Sequence, residues 1–173
     1  VLKDSLILDI QGDNDGVINP GETVSLMLTI ENTPGWVSAQ DVNILLSTDN
    51  SNITILDNNA SYGNMSAGEI KSNLTDMFKL QIDDNINEGI IGLSLNISGN
   101  SGEYQYASIK DLELFVSLNQ YGFPIYATSQ KTSPLFIDFN NDGIKDIIYG
   151  DYNGKVHVLQ ADGTELINDI FPF

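Results

Sequence analysis

TVSLMLTI, residues 23–30, is the stretch whose reading decides how this chain folds. Val24, Leu26, Leu28 and Ile30 point one way along an extended backbone, and Thr23, Ser25, Met27 and Thr29 point the other. A period of two sets one face on a core and leaves the other to solvent, the pattern of a half-buried β-strand. The alternation recurs on moving outward. DVNILLS (41–47) aligns Val42, Ile44 and Leu46, and MFKLQID (77–83) aligns Phe78, Leu80 and Ile82. GLSLNIS (92–98) aligns Leu93, Leu95 and Ile97, and DLELFVSL (111–118) aligns Leu112, Leu114, Val116 and Leu118. Turn signals separate the runs: Asn19-Pro20-Gly21, Pro34-Gly35, Asp57-Asn58-Asn59 and the polar stretch 98–102. Helical spacing hardly appears. An all-β chain is predicted, with roughly seven or eight strands forming an antiparallel β-sandwich over residues 1–118.

Near Asn119 the texture changes. The following segment, 119–173, carries short runs that are apolar on both faces, Leu135-Phe136-Ile137 and Ile147-Ile148-Tyr149. GDYNGK (150–155) and ADGT (161–164) read as tight hairpin turns. The GFP at 122–124 is echoed about 48 residues later in IFPF (170–173), the spacing of a propeller blade. A second unit is predicted here, a C-terminal β-hairpin resembling one blade.

The chain has 173 residues, with seven basic against 24 acidic, a net charge of −17. Such a surface repels nucleic-acid phosphate and anionic lipid, so neither is an expected partner. There is no cysteine, which excludes thiol catalysis, Cys-zinc sites and disulfides. No apolar run is long enough for a membrane-spanning helix. The chain opens at Val1 inside a strand-like run and is read as a piece of something longer.

The acids are clustered. In DFNNDGIKD (138–146), oxygen side chains stand at positions 1, 3, 5 and 9 of a loop: Asp138, Asn140, Asp142 and Asp146. Gly143 takes position 6, and the Ile144 carbonyl falls at position 7. Calcium seeks six to eight hard oxygens, and this is a calcium-loop order of ligands. Position 12 is Tyr149, so the loop lacks a terminal glutamate and is expected between strands. A second cluster lies in LDIQGDNDGVINPGE (8–22). Aligned on Gly16, Asp13, Asp15, the Val17 carbonyl, Asn19 and Glu22 take positions 3, 5, 7, 9 and 12. Gln11 is a poor first ligand, and Asp9 is expected to substitute for it from the preceding strand.

These residues resemble known modules. DFNNDGIKDIIYGDYNGKVHVLQADG (138–163) is similar to one FG-GAP/VCBS-type repeat, the blade of integrin-type calcium-binding β-propellers. That resemblance implies calcium on Asp138, Asn140, Asp142, Ile144 (carbonyl) and Asp146. GDNDGVINPGETVSLMLTIEN (12–32) resembles the opening of CARDB-type, Ig-like sandwich domains of large secreted bacterial proteins, often beside peptidase domains. It implies a spacer, adhesive unit or accessory domain. One blade is present where a closed propeller needs several.

Other chemistry has little to stand on. His157 is the single histidine, alternates with Val156 and Val158, and has no serine-nucleophile or zinc-helix motif beside it. Paired glycosidase carboxylates flank a cleft, whereas these acids sit in tight loops. Trp36, Tyr62, Tyr104, Tyr106, Tyr121 and Tyr126 could build a sugar platform, but are read as packing and hairpin decoration, with EYQYAS (103–108) the pair expected in solvent. The sequons at Asn52 and Asn73 are read as chance in an Asn-rich chain. The sequence therefore predicts a non-catalytic, calcium-stabilised accessory, adhesion or spacer region of a secreted or surface-displayed protein. A protein or glycan surface partner is compatible with it, and the alternative is a carbohydrate-binding module of a polysaccharide-degrading enzyme.

Overall fold

The computed structural model describes residues 1–120, 122–126 and 129–170, the last four by backbone alone. It is all-β: no helix occurs among the described residues, and thirteen strands run β1 (Leu2–Leu8), β2 (Thr23–Glu31), β3 (Ala39–Ser47), β4 (Ile53–Asp57), β5 (Asn59–Met65), β6 (Ile70–Ser72), β7 (Phe78–Ile82), β8 (Gly89–Ser101), β9 (Tyr104–Val116), β10 (Leu135–Ile137), β11 (Asp146–Gly150), β12 (Lys155–Leu159) and β13 (Glu165–Ile170). The chain divides into two compact units, Val1–Leu118 and Asn119–Phe173.

The first unit packs two antiparallel sheets. One is ordered β1-β2-β7-β4, with β6 also paired to β2; the other is ordered β5-β3-β8-β9. The alternating residues do what their period demands. Val24, Leu26, Leu28 and Ile30 of β2 and Phe78, Leu80 and Ile82 of β7 are buried, as are Val42, Ile44 and Leu46 of β3 and Leu93 and Leu95 of β8. They share one continuous core with Tyr62, Met65 and Val116. Removing such side chains from water is what holds the sheets face to face, at roughly 25 cal/mol per Å² of apolar area.

One side chain stitches a gap. On β2, Leu28 falls between the segments paired by β6 and by β7. Buried Asn73 fills that gap: its Oδ1 accepts from the Leu28 N–H (2.7 Å), and its own N–H donates to the Leu28 carbonyl (3.3 Å). The Tyr62 hydroxyl donates to the same carbonyl at 3.0 Å. Asn73 thus acts as a surrogate strand residue, and the asparagine of its sequon is buried.

Three expectations need correction. The polar stretch 98–102 is not a turn: β8 continues to Ser101 and pairs with Tyr104, so the reversal is confined to Gly102 and Glu103. Gly102, at φ 60°, supplies the left-handed conformation such a tight hairpin needs. Leu118 is not on the buried face of its strand, because β9 stops at Val116 and leaves Leu118 exposed. Of the aromatics read as packing or hairpin decoration, Tyr62 is buried but Trp36 and Tyr126 are exposed; Tyr104 and Tyr106 are exposed, as expected of EYQYAS, and Tyr121 lies outside the described residues.

The second unit is a four-stranded antiparallel sheet in the order β10-β11-β12-β13. GDYNGK and ADGT form its two hairpin turns, the latter closed by Gln160 N–H to the Thr164 carbonyl at 2.8 Å. Tyr149, Val158 and Leu159 are buried, whereas Leu135, Phe136 and Ile137 are exposed on both faces of β10. The last three residues of the echoed IFPF, 171–173, lie outside the described residues.

Candidate metal centre

Residues 9–22 connect β1 to its antiparallel neighbour β2. Asp9 follows β1 directly and is only 1% exposed. A buried carboxylate is costly unless its oxygens are bonded. Here the Asp15 N–H donates to Asp9 Oδ2 (3.0 Å) and the Gly16 N–H to Asp9 Oδ1 (3.1 Å). The Asp15 N–H also reaches Asp13 Oδ1 (3.2 Å), and Asp15 Oδ1 accepts from the Val17 N–H (2.7 Å). Asn14 (φ 62°) and Gly16 (φ 80°) take left-handed conformations that fold Asp13 and Asp15 back toward Asp9. One carboxylate oxygen from each of Asp9, Asp13 and Asp15 lies within 4.8 Å of the other two. The three acids form a cluster that could hold a metal ion, the one such group of three among the described residues.

Electrostatics agrees with that geometry. Burial, then the Asp15 and Asp9 charges, raise Asp13 above the usual carboxylate range. Burial raises Glu22 too, against the lowering effect of the backbone amides it accepts from. Both acids hold their protons more tightly than in free solution, and a cation placed among them would reverse that preference.

The remaining candidates of this loop are placed differently. Glu22 acts as a clamp: Oε2 accepts from the Asn19 N–H (2.9 Å) and Oε1 from the Asp13 N–H (3.4 Å), so it closes the loop from outside the three-acid group. Asn19 donates its side-chain amide to the Ser117 carbonyl at 2.8 Å, anchoring the loop beside the end of β9. Val17 contributes the N–H bonded to Asp15 and precedes the parallel bridge from Ile18 to Val116. Gly12 is a residue that sequence reading missed. A Cβ there would overlap the Glu22 carboxylate, so only glycine lets the clamp close. Its position directly after a poor ligand, Gln11, was the available signal.

The C-terminal loop keeps its predicted order but does not converge to the same degree. Asp138 accepts from Asp142 N–H (3.1 Å) and Gly143 N–H (3.0 Å) through its two oxygens. Asp142 Oδ1 accepts from Ile144 N–H (2.7 Å), while its Oδ2 accepts from the Asn140 side-chain amide (2.8 Å). Buried Asp146, the first residue of β11, accepts from Phe139 N–H (2.8 Å). Asn141 and Gly143 turn the chain in left-handed conformations. Asp138, Asp142 and Asp146 are not among the acids meeting within 4.8 Å. Each is drawn to a different backbone amide of the loop, and Ile144 is exposed.

His157 lies in the same unit, on β12. Its Nδ1 faces Glu165 Oε1 at 2.5 Å and its Nε2 faces Asp151 Oδ2 at 3.4 Å. The ring stacks on Tyr149, centroids 4.7 Å apart and 15° from parallel. Asp151 is buried and also accepts from the Asn153 and Lys155 N–H groups, closing the β11–β12 turn. Both ring nitrogens therefore face carboxylates, and the imidazole ties together β11, β12 and β13. No protein-family model matches this chain, and a search of curated proteins finds no match either.

Proposed function

We propose that this chain is a non-catalytic, calcium-stabilised accessory or spacer region of a secreted or surface-displayed multidomain bacterial protein. In this reading the first unit is an Ig-like module of the CARDB type and the second is a single FG-GAP/VCBS-like blade. The observation that carries it is the convergence of Asp9, Asp13 and Asp15 in a loop whose amides already brace the buried Asp9.

The donor set supports calcium over softer ions. It offers carboxylate oxygen and no imidazole or thiolate, which favours hard cations. The loop is irregular backbone, suited to the flexible coordination that calcium accepts and magnesium does not. Asp9, Asp13 and Asp15 would hold the ion, whose part is structural: it would neutralise three like charges and lock the β1–β2 connection. Asp138, Asn140, Asp142 and Asp146 would form a second, weaker loop that tightens on binding. The engagement of both His157 nitrogens supports a non-catalytic role.

Thermal unfolding of the whole chain, in chelator and then in millimolar calcium, tests the reading. Binding at a hundred times the dissociation constant adds about 2.7 kcal/mol of stability. An upward shift in midpoint with calcium, and a smaller one with magnesium, is expected. Superimposable curves would remove the basis of the proposal.

A further inference from the structure

The aromatic side chains that packing does not use converge elsewhere. β2 ends at Glu31, β3 begins at Ala39 and the β8–β9 hairpin turns at Gly102. These mark the end of the sandwich opposite the acidic loop, roughly 25 Å away along β2 at the usual rise of an extended strand. The two sheets part there around a groove of about 370 Å³. Its floor is the buried apolar side chains of Ile30, Val42 and Met65. Its walls are Trp36, from the β2–β3 connection, and Tyr104 and Tyr106, from the start of β9. These rings are 65%, 83% and 53% exposed.

Their polar edges are also unused: neither tyrosine hydroxyl nor the indole N–H makes a hydrogen bond among the described residues. Each wall therefore offers an apolar ring face and, at its margin, a vacant donor or acceptor. A ligand that fits must be apolar on its faces and polar around its rim. A pyranose ring has that build, with C–H groups on its faces and hydroxyls around its edge. An aliphatic peptide side chain would cover the faces and strand the edges. Charge narrows the class further, since a protein of net charge −17 repels anionic chains. The volume lies within the range of small-ligand sites.

We propose that this groove binds a neutral glycan, with Trp36 and Tyr104 stacking on sugar rings from opposite walls and Tyr106 supporting the second. The site does not depend on the metal-centre reading, lying at the other end of the sandwich.

Native affinity electrophoresis of the whole chain through gels containing mannan, xylan or mixed-linkage β-glucan tests it, with polygalacturonate as the anionic comparison. Every gel is run in calcium and again in chelator, so that failure of the metal reading is scored separately. Retardation by at least one neutral polysaccharide and none by polygalacturonate is expected. Trp36→Ala and Tyr104→Ala should each weaken it at least about tenfold, as loss of a stacking face implies. Tyr104→Phe, which keeps the ring and loses the hydroxyl, should weaken it by only a few fold. Circular dichroism verifies that each variant is folded, and Tyr106→Leu replaces any that is not. Three results would overturn the proposal: no retardation by any neutral polysaccharide, wild-type retardation in both alanine variants, or binding of an apolar peptide library with no glycan bound.

Discussion

Replacing Asp9 with asparagine separates the two tasks of its carboxylate, which are to accept backbone hydrogen bonds and to supply charge. At 4.8 Å, two unit charges repel by about 3.5 kcal/mol at an effective dielectric near 20 and by about 0.9 kcal/mol in bulk water. Asp13 is exposed, so solvent screens its pairs toward the smaller figure. Asp9→Asn removes two of the three pairwise repulsions, a gain of about 2 kcal/mol. It also leaves one acceptor oxygen where there were two. The bond from the Gly16 amide becomes a weaker neutral one, and that from the Asp15 amide is lost because an asparagine Nδ2 cannot accept, leaving Asp15 N–H with Asp13 Oδ1 alone, a loss of about 1 kcal/mol each. The effects nearly cancel, so without metal the variant should unfold within about 1 kcal/mol of wild type. Calcium breaks the tie. At a hundredfold excess over its dissociation constant the wild type gains about 2.7 kcal/mol, or roughly 10 °C for a unit of this size, and the variant should gain less than a third of that. Calorimetry of both proteins in chelator and in calcium reads all four midpoints. Equal calcium shifts in the two proteins would refute the assignment of Asp9 to the ion.

Gly12→Ala should push the Glu22 carboxylate off the Asp13 and Asn19 amides, destabilise the first unit by about 1–2 kcal/mol and blunt its calcium response; denaturant titration with and without calcium measures both. Asp13 and Glu22 hold pKa values raised above their ordinary 3.8 and 4.5. The stability they contribute to the metal-free chain is therefore full below those values and lost as pH rises through the raised ones. Calcium competes with the same protons, so its stabilising effect should be large at pH 7 and shrink toward pH 4; a midpoint shift that stays constant over this range would contradict the cluster. Asn73→Ala strands the buried Leu28 N–H and should lower stability by about 2–3 kcal/mol, seen as a reduced denaturant midpoint with an unchanged slope.

The sandwich was legible because a period of two admits one interpretation wherever a strand has one wet face. Val24 to Ile30 and Phe78 to Ile82 therefore showed their core side at once. β5 was harder to see, since NASYGNM buries only Ala60, Tyr62 and Met65 among polar residues and glycine. The reversal after β8 was misplaced because Ser98 to Ser101 read as turn residues, yet pairing with β9 holds them extended. Substitution of Asp9 for Gln11 was readable from ligand chemistry. The clamp role of Glu22 was not, since sequence spacing does not reveal which backbone amides a loop will aim at a carboxylate. The same capture of oxygens by amides explains why the more regular motif, at 138–146, is the less convergent of the two. Of the groove aromatics, Tyr104 and Tyr106 were legible as solvent-facing, whereas Trp36 was not, because composition cannot say that the β2–β3 connection leaves its ring exposed.

Anomalous scattering from a crystal grown in 10 mM calcium chloride tests the central claim most directly. The account predicts a peak between Asp9, Asp13 and Asp15, with ligand oxygens at about 2.3–2.6 Å. A well-ordered loop at residues 9–22 with no anomalous peak among those three carboxylates would contradict it.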